Sequence, residues 1–244
     1  MIRSKLLGLA FPVALIGALT FAAPSAEAAF VLRLTEGASS VTVVDQGAGD
    51  SNPAVGAITF IGPVGVFTIN VSTGLSKPVL PASSTFAEMD LNSVNTSNAA
   101  GTLVIELTDT DFPATTLPGT LSGSVGGTTE GTATFWAYKN DSNEEFDIVN
   151  AEAEIHLGPF TGGPDGEDFS GNASDGHGPL GTYSMTIVAE IVHGAGAGVS
   201  TSFDFDVNNT AVPVPAGAVL ALTALPVFGL GALVRRRRAK EVVA

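Results

Sequence analysis

Apolar and polar residues alternate in many short runs between residues 30 and 210 of this chain. The apolar residues stand two apart, which is the period of a β-strand with one buried face and not that of a helix. The clearest runs are 41–43, 67–72, 102–108, 183–191 and 203–208. Clusters of Gly, Pro, Asn and Asp separate them and are typical of turns. We therefore predict roughly nine to twelve strands and an all-β fold, an antiparallel sandwich or a jelly-roll-like ectodomain.

Three stretches fit this pattern less well. Glu88–Ser97 could contain a short helix, 150–155 could be helix or strand, and 113–127 is so rich in Thr, Gly and Pro that no strand pattern survives. A boundary between two domains in 113–127 is one interpretation. We favour a single domain over 29–211, because about 180 residues can bury a substantial core as one unit.

Composition excludes several classes of protein. The 244 residues include no Cys, which excludes a disulfide-stapled scaffold, a Cys-ligated metal site and a cysteine nucleophile. Of the 24 acidic residues, 22 lie between residues 30 and 211, where Arg33, Lys77 and Lys139 are the only Lys or Arg residues. A surface of this charge repels phosphate backbones, so we expect no nucleic-acid partner.

The N-terminus has the pattern of a secretory signal. Arg3 and Lys5 precede an apolar run over 6–21, and Ala26 and Ala28 form an A-x-A site. We predict that signal peptidase removes residues 1–28. A retained membrane anchor is the alternative.

The C-terminus has the pattern of a membrane span. Residues 216–234 carry no charge and are long enough for one transmembrane helix. A basic tail over 235–240 follows and predicts an orientation with the acidic domain outside. Its first members are Arg235, Arg236, Arg237 and Arg238. A buried core helix and a nucleic-acid-binding tail are alternatives, but neither explains the N-terminal signal.

A short motif precedes this helix and consists of Val212, Pro213, Val214 and Pro215. The two prolines fix their own backbone and push the valines into extended conformations, the form that a protease cleft accepts. Alternatively, the prolines only begin the helix, where a missing N–H costs nothing.

Together, the motif, the apolar helix and the arginine cluster resemble a bacterial PEP-CTERM sorting signal over residues 212–244, closest to the variant that reads V-P-L-P-A. Val214 stands where the parent motif has Glu. The resemblance implies export through the Sec translocon across the inner membrane of a Gram-negative bacterium. It also implies cleavage near the motif by an exosortase, a membrane-embedded cysteine protease. Proteins of this family are associated with exopolysaccharide and biofilm surfaces, so we expect a transiently or permanently anchored protein that ends at the outer surface or outside the cell. An ordinary single-pass protein that keeps its helix is the alternative.

A glycine-rich acidic segment over 158–181 is a candidate metal site. Calcium binds six to eight oxygens at flexible geometry, so Asp165, Glu167, Asp168 and Asp175 could ligate it. The spacing matches no known calcium loop, and a solvated acidic loop is the alternative. Two further pairs, Asp109 with Asp111 and Asp204 with Asp206, are spaced to share one face of a strand. No other cofactor is expected.

Trp136 and Tyr138 share one face of a predicted strand. If exposed, they could stack on sugar rings, and if buried, they belong to the core.

The sequence contains no recognisable catalytic motif. His156, His177 and His193 are the only imidazoles, and none lies in a known catalytic frame. We expect His156 and His193 to be surface or partly buried residues. Our leading hypothesis is a non-enzymatic structural or adhesive component of the extracellular matrix. A calcium- or carbohydrate-binding surface module is the first alternative, and a glycan hydrolase that uses paired carboxylates is the second.

Overall fold

The computed structural model describes residues 29–211, which form twelve β-strands. The predicted signal 1–28, the sorting motif Val212, Pro213, Val214 and Pro215, the helix 216–234 and the basic tail lie outside this range. Within it, no helix has the length and apolarity needed to cross a membrane. The strands are β1 (Val31–Glu36), β2 (Ser39–Val44), β3 (Ala57–Val64), β4 (Phe67–Leu75), β5 (Phe86–Ser97), β6 (Gly101–Phe112), β7 (Gly119–Thr129), β8 (Thr132–Asn140), β9 (Ala153–Thr161), β10 (Glu167–His177), β11 (Tyr183–His193) and β12 (Val199–Ala211).

The strands form two six-stranded antiparallel sheets that pack face to face. Sheet A has the order β2-β1-β6-β11-β8-β9, and sheet B has the order β10-β7-β12-β5-β4-β3. Strands β9 and β10 lie at the same edge of the sandwich, where the rings of Phe160 and Phe169 stack with centroids 4.8 Å apart. The predicted all-β class and the antiparallel two-layer arrangement are confirmed.

One hydrophobic core fills the space between the sheets. Along β5, every second residue from Ala87 to Ser97 is buried, as the period-two pattern requires. Phe135 of β8 is completely buried in this core, in edge-on contact with Phe203 and Phe205 of β12. Strand β8 therefore points Phe135 inward and the residues on either side of it outward, which sets the position of the candidate site.

The weakly patterned stretches belong to strands or lead into them. Glu88–Ser97 belongs to β5, and β9 begins at Ala153, so the helical interpretations of these stretches are wrong. The Thr- and Gly-rich stretch leads into β7, which pairs with both β10 and β12 inside sheet B and is not a linker. A side chain at Gly123 of β7 would collide with Ile155 and Phe205. Core packing therefore requires small residues in β7, which hides its strand pattern.

Candidate functional site

The outer side of sheet A presents aromatic side chains from its β8–β9 end. Trp136 and Tyr138 alternate with the buried Phe135 and Ala137, so both point away from the core and are half-exposed. Opposite them on β9 lie the exposed His156 and Glu154, and on β11 Val188 pairs with Trp136. We call this surface the aromatic face, and it consists of Trp136, Tyr138, Glu154, His156 and Val188.

Two cross-strand pairs organise the aromatic face. The rings of Trp136 and His156 are parallel, with an interplanar angle of 1° and centroids 5.0 Å apart. The neighbouring Tyr138 lies opposite Glu154. The pKa of Tyr138 is raised, first by partial burial and then by the Glu154 carboxyl group. The result is a stacked pair of rings beside a phenol and a carboxyl group.

The loop between β8 and β9 covers the other end of the same side of sheet A. In this loop the ring of Phe146 lies against the Arg33 guanidinium, with 3.9 Å between Arg33 Cζ and the ring centroid. The backbone N–H of Phe146 donates to the hydroxyl of Thr108. Arg33 in turn makes a two-pronged ion pair with Glu106, at 2.5 and 2.7 Å. The loop therefore covers the β1–β6 end, whereas the aromatic face stays open.

The outer side of sheet B is acidic. Glu88 and Asp90 of β5 lie beside Asp206 and Asp204 of β12, and we call these four residues the acidic face. Burial, followed by the neighbouring Asp206, raises the pKa of Glu88. Burial, followed by the charge and hydrogen bond of Asp204, raises the pKa of Asp90 to about 7. The prediction that Asp204 and Asp206 share a face is therefore confirmed.

The residues proposed to bind calcium do not come together. Asp165 is exposed in the turn between β9 and β10, and Glu167 and Asp168 begin β10. Asp175 lies eight residues after Glu167, about 26 Å away along an extended strand, and accepts hydrogen bonds from the backbone of Glu154 and Gly176. Over residues 29–211, no three His, Asp or Glu side chains are grouped so as to hold a metal ion.

The other predicted carboxylate pair is separated as well. Asp109 is completely buried, whereas Asp111 is exposed and hydrogen-bonded to Asn143. The register between β6 and β11 is irregular at this point, and Asp111 has a left-handed backbone with φ of 60°. This irregularity turns the two carboxylates to different sides, so the prediction of a shared face is wrong here.

Sequence reasoning missed a buried polar cluster between the sheets. Lys139 of β8 is fully buried, with Nζ 3.1 Å from His177 Nε2 and 3.9 Å from the centroid of the Tyr183 ring. Asn209 joins His177, 2.6 Å from Nε2, to the Tyr183 hydroxyl. Within residues 29–211 no carboxylate forms an ion pair with Lys139, and burial lowers its pKa to about 7. The sequence does contain a signal for the burial of Lys139, because this residue continues the series of inward-facing positions Ala133, Phe135 and Ala137.

The three histidines lie in three different environments. His156 belongs to the aromatic face, and His177 to the buried cluster. His193 is also buried, and its ring nitrogens contact the hydroxyls of Ser97 and Thr201 at 2.9 Å each. The expectation of a surface or partly buried position is therefore met by His156 and wrong for His193.

Comparison with known proteins gives limited similarity. No family model and no curated protein matches the chain. One similar solved structure is the carbohydrate-binding module TmCBM61, determined in complex with β-1,4-galactotriose. It has 12% identity and a TM-score of 0.31 over 68% of this chain and 92% of that one. Another is the K3 cleaved adhesin domain of Lys-gingipain from Porphyromonas gingivalis w83, with 16% identity and a TM-score of 0.27 over 49% of this chain and 71% of that one. Similarity of this degree assigns neither a family nor a ligand to this chain.

Proposed function

We propose that this protein is an exported surface adhesin that binds polysaccharide through the aromatic face. The observation that carries the proposal is the parallel pair of Trp136 and His156 on an open sheet surface. An aromatic ring at the surface leaves apolar area exposed to water, which is unfavourable. A ligand with an apolar side can cover that area. A pyranose ring has such a side, and its hydroxyl groups project around the edge.

Polar groups next to the stacked rings suit those hydroxyls. Tyr138 and Glu154 lie one step along the strands, and Glu190 lies on the other side of Trp136. They supply donors and acceptors at fixed positions on a rigid sheet, which fixes orientation at low entropic cost. We assign no catalytic step to this face.

The ends of the sequence support an extracellular location for this activity. The predicted signal 1–28 would bring the domain across the inner membrane, and the PEP-CTERM-like signal at 212–244 would deliver it to an exosortase. The resemblance associates proteins with such a signal with exopolysaccharide, which is therefore the class of ligand that we propose. The proposal therefore joins a surface adhesin to exopolysaccharide and requires no cofactor.

A binding screen tests the proposal. The purified protein is run by affinity electrophoresis through gels containing a panel of soluble polysaccharides, together with two variants. Trp136→Ala should lose retardation in every gel that retards the parent protein, with a fall in affinity of about tenfold or more. Asn172→Ala changes an exposed polar residue on sheet B and should leave retardation unchanged. Equal retardation of the parent and Trp136→Ala would contradict the proposal, as would no retardation in any gel.

A further inference from the structure

The described domain begins and ends at the same end of the sandwich. Ala29 lies beside the last turn of β6, where its N–H donates to the Thr110 hydroxyl at 3.0 Å. Ala211 is the last residue of β12 in sheet B. Two residues earlier, Asn209 donates to the Tyr183 hydroxyl, so this end of β12 lies against the start of β11, which pairs with the end of β6. We call this end of the sandwich its base.

A pocket with a volume of about 720 Å³ opens at the base. Apolar residues supply much of its lining, namely Ala29, Phe30, Val44, Val55 and Pro78. Val44 and Val55 are 50% and 58% exposed, and Val79, the residue after Pro78, is 47% exposed. We call Val44, Val55 and Val79 the apolar rim. Exposed apolar side chains grouped in this way are characteristic of a contact surface.

The charged groups of the pocket have partners within the protein. Lys77 Nζ lies 2.7 Å from Asp109 Oδ1 in an ion pair. Asp45 Oδ2 accepts a hydrogen bond from the Gly56 N–H at 2.7 Å. A charged ligand is therefore not required to neutralise Lys77 and Asp109, and the exposed feature of this pocket is its apolar rim.

The chain that follows the domain is short. Four residues, 212–215, separate Ala211 from the predicted transmembrane helix 216–234. Fully extended, they span at most about 14 Å. The headgroup layer on one side of a bilayer takes up about 5 to 7 Å of this length. In the anchored protein, the base therefore lies within roughly 10 Å of the headgroup surface.

The two sides of the base differ in charge. In sheet B, β12 has β5, β4 and β3 on one side and β7 and β10 on the other. The apolar rim is on the first side, where β2 and β3 lie against each other. On the second side, β8 ends beside the start of β11, and the loop after it exposes Asp141, Glu144, Glu145, Ile148 and Val149. Anionic headgroups repel the carboxylates of this loop, whereas valine side chains gain from leaving water.

We propose that the base of the anchored protein rests on the lipid bilayer, with the apolar rim in the headgroup layer. This inference rests on the predicted transmembrane helix and is independent of polysaccharide binding. Contact through the rim tilts the sandwich so that its β2–β3 edge is lowest. Strands β8 and β9, which carry Trp136 and His156 of the aromatic face, lie at the opposite edge of sheet A. The tilt therefore lifts the aromatic face away from the bilayer and leaves it accessible.

Single-cysteine variants of the full chain test the inference, because the chain has no Cys of its own. Val55→Cys and Val79→Cys are labelled with the fluorophore NBD. The proteins, with residues 212–244 intact, are reconstituted into vesicles of phosphatidylcholine and phosphatidylglycerol. We expect both labels to emit at shorter wavelength than in the detergent-free, lipid-free labelled peptide, and spin-labelled lipid should quench them.

Two other exposed apolar residues provide matched controls. Ile61 is 63% exposed and lies four residues into β3, about 13 Å along the strand from its first residue. Val192 is 38% exposed and lies near the end of β11, at the opposite end of the sandwich from the base. Labels at Ile61→Cys and Val192→Cys should show neither the shift nor the quenching.

Four results would overturn the proposal. Absence of lipid quenching at both Val55 and Val79 would show that the base stands clear of the bilayer. A shift at these positions without lipid quenching would show that protein, such as a second copy of the chain, covers the rim. Quenching at Ile61 equal to that at Val55 would show that the sandwich lies on its edge. Failure of the protein to float with the vesicles would show that residues 216–234 do not anchor it.

Discussion

The outer sides of the two sheets differ although the same alternating pattern produces them. The aromatic face of sheet A combines stacked rings, one phenol and one carboxylate. At the other end of that side, Arg33 is paired with Glu106. The acidic face of sheet B has four neighbouring carboxyl groups, and none of the three Lys and Arg residues within 29–211 lies there. Lys77 and Lys139 are both between the sheets.

Under the proposed function, this difference makes the outer side of sheet A the ligand side. On sheet A the polar groups are paired and the aromatic area is left open, so a ligand gains contact without disrupting existing interactions. On sheet B four carboxyl groups lie close together, and burial together with the neighbouring carboxyl groups raises the pKa of Glu88 and of Asp90.

The largest effect is expected at Lys139, which is buried between the two sheets. If its positive charge stabilised the carboxyl groups of the acidic face from a distance, its removal would destabilise the protein. Because it is buried without a carboxylate, we expect Lys139→Met to raise the free energy of unfolding by about 2 kcal/mol at neutral pH. Urea denaturation measures the change. Lys139→Arg, which cannot lose its charge, is the control and should destabilise.

Lys139 should also make the stability of the protein depend on pH. Its pKa is about 7 in the folded protein and 10.5 when unperturbed, so the unfolded state binds more protons between these values. Stability should therefore rise as the pH increases from about 7 to 10.5. In Lys139→Met this rise should be smaller. An identical slope in both proteins would show that Lys139 is charged in the fold.

Asp90 gives the opposite slope at lower pH. Its pKa is 3.8 when unperturbed and about 7 in the fold, so the folded state binds more protons and stability falls as the pH rises between these values. After allowance for solvent screening, Asp90→Asn should stabilise the protein by about 1 kcal/mol above neutral pH. Thermal denaturation between pH 4 and 8 measures this, roughly spanning the window in which the group titrates. A loss of stability in Asp90→Asn would mean that its charge is favourable.

On sheet A, His156 should have a moderate effect on binding. His156→Ala removes the ring that stacks on Trp136 and leaves the indole less well oriented. We expect the affinity for a polysaccharide bound by the parent protein to fall about threefold, less than for Trp136→Ala. Isothermal titration calorimetry gives the ratio. An effect larger than that of Trp136→Ala would make His156 the main contact.

The smallest effect is expected from salt. Repulsion on the acidic face is screened by ions, so about 1 M NaCl should raise the stability above neutral pH by a few tenths of a kcal/mol. The increase should be smaller in Asp90→Asn, measured by the same thermal denaturation. An equal increase in both proteins would place the repulsion elsewhere on the surface.

Much of the fold could be predicted because strands with one buried face carry their period in the sequence. β6, β11 and β12 show it clearly, whereas β7 does not. Ile155 and Phe205 occupy the space next to Gly123. Packing from two other strands therefore excludes a larger apolar residue at this position. Packing between distant segments is not visible in a local pattern.

The candidate sites were predictable to different degrees. The spacing of Trp136 and Tyr138 predicts that they share one face of β8. It does not predict that this face points outward, because that depends on whether the even-numbered or the odd-numbered residues of β8 pack in the core. The cluster predicted in the acidic segment failed because β10 is extended and carries Asp175 away from Asp165. The contact between Lys77 and Asp109 joins residues from two sheets, and no local pattern indicates it.

The central claim is that the aromatic face binds polysaccharide, and the fluorescence of Trp136 tests it most directly. Trp136 is the one tryptophan in the chain, so its emission reports on this face alone. Titration with a polysaccharide that retards the protein should give a saturable change in emission and protect the indole from quenching by acrylamide. Asn172→Ala should behave identically. Retention of the polysaccharide with no change in the emission or quenching of Trp136 would contradict the account.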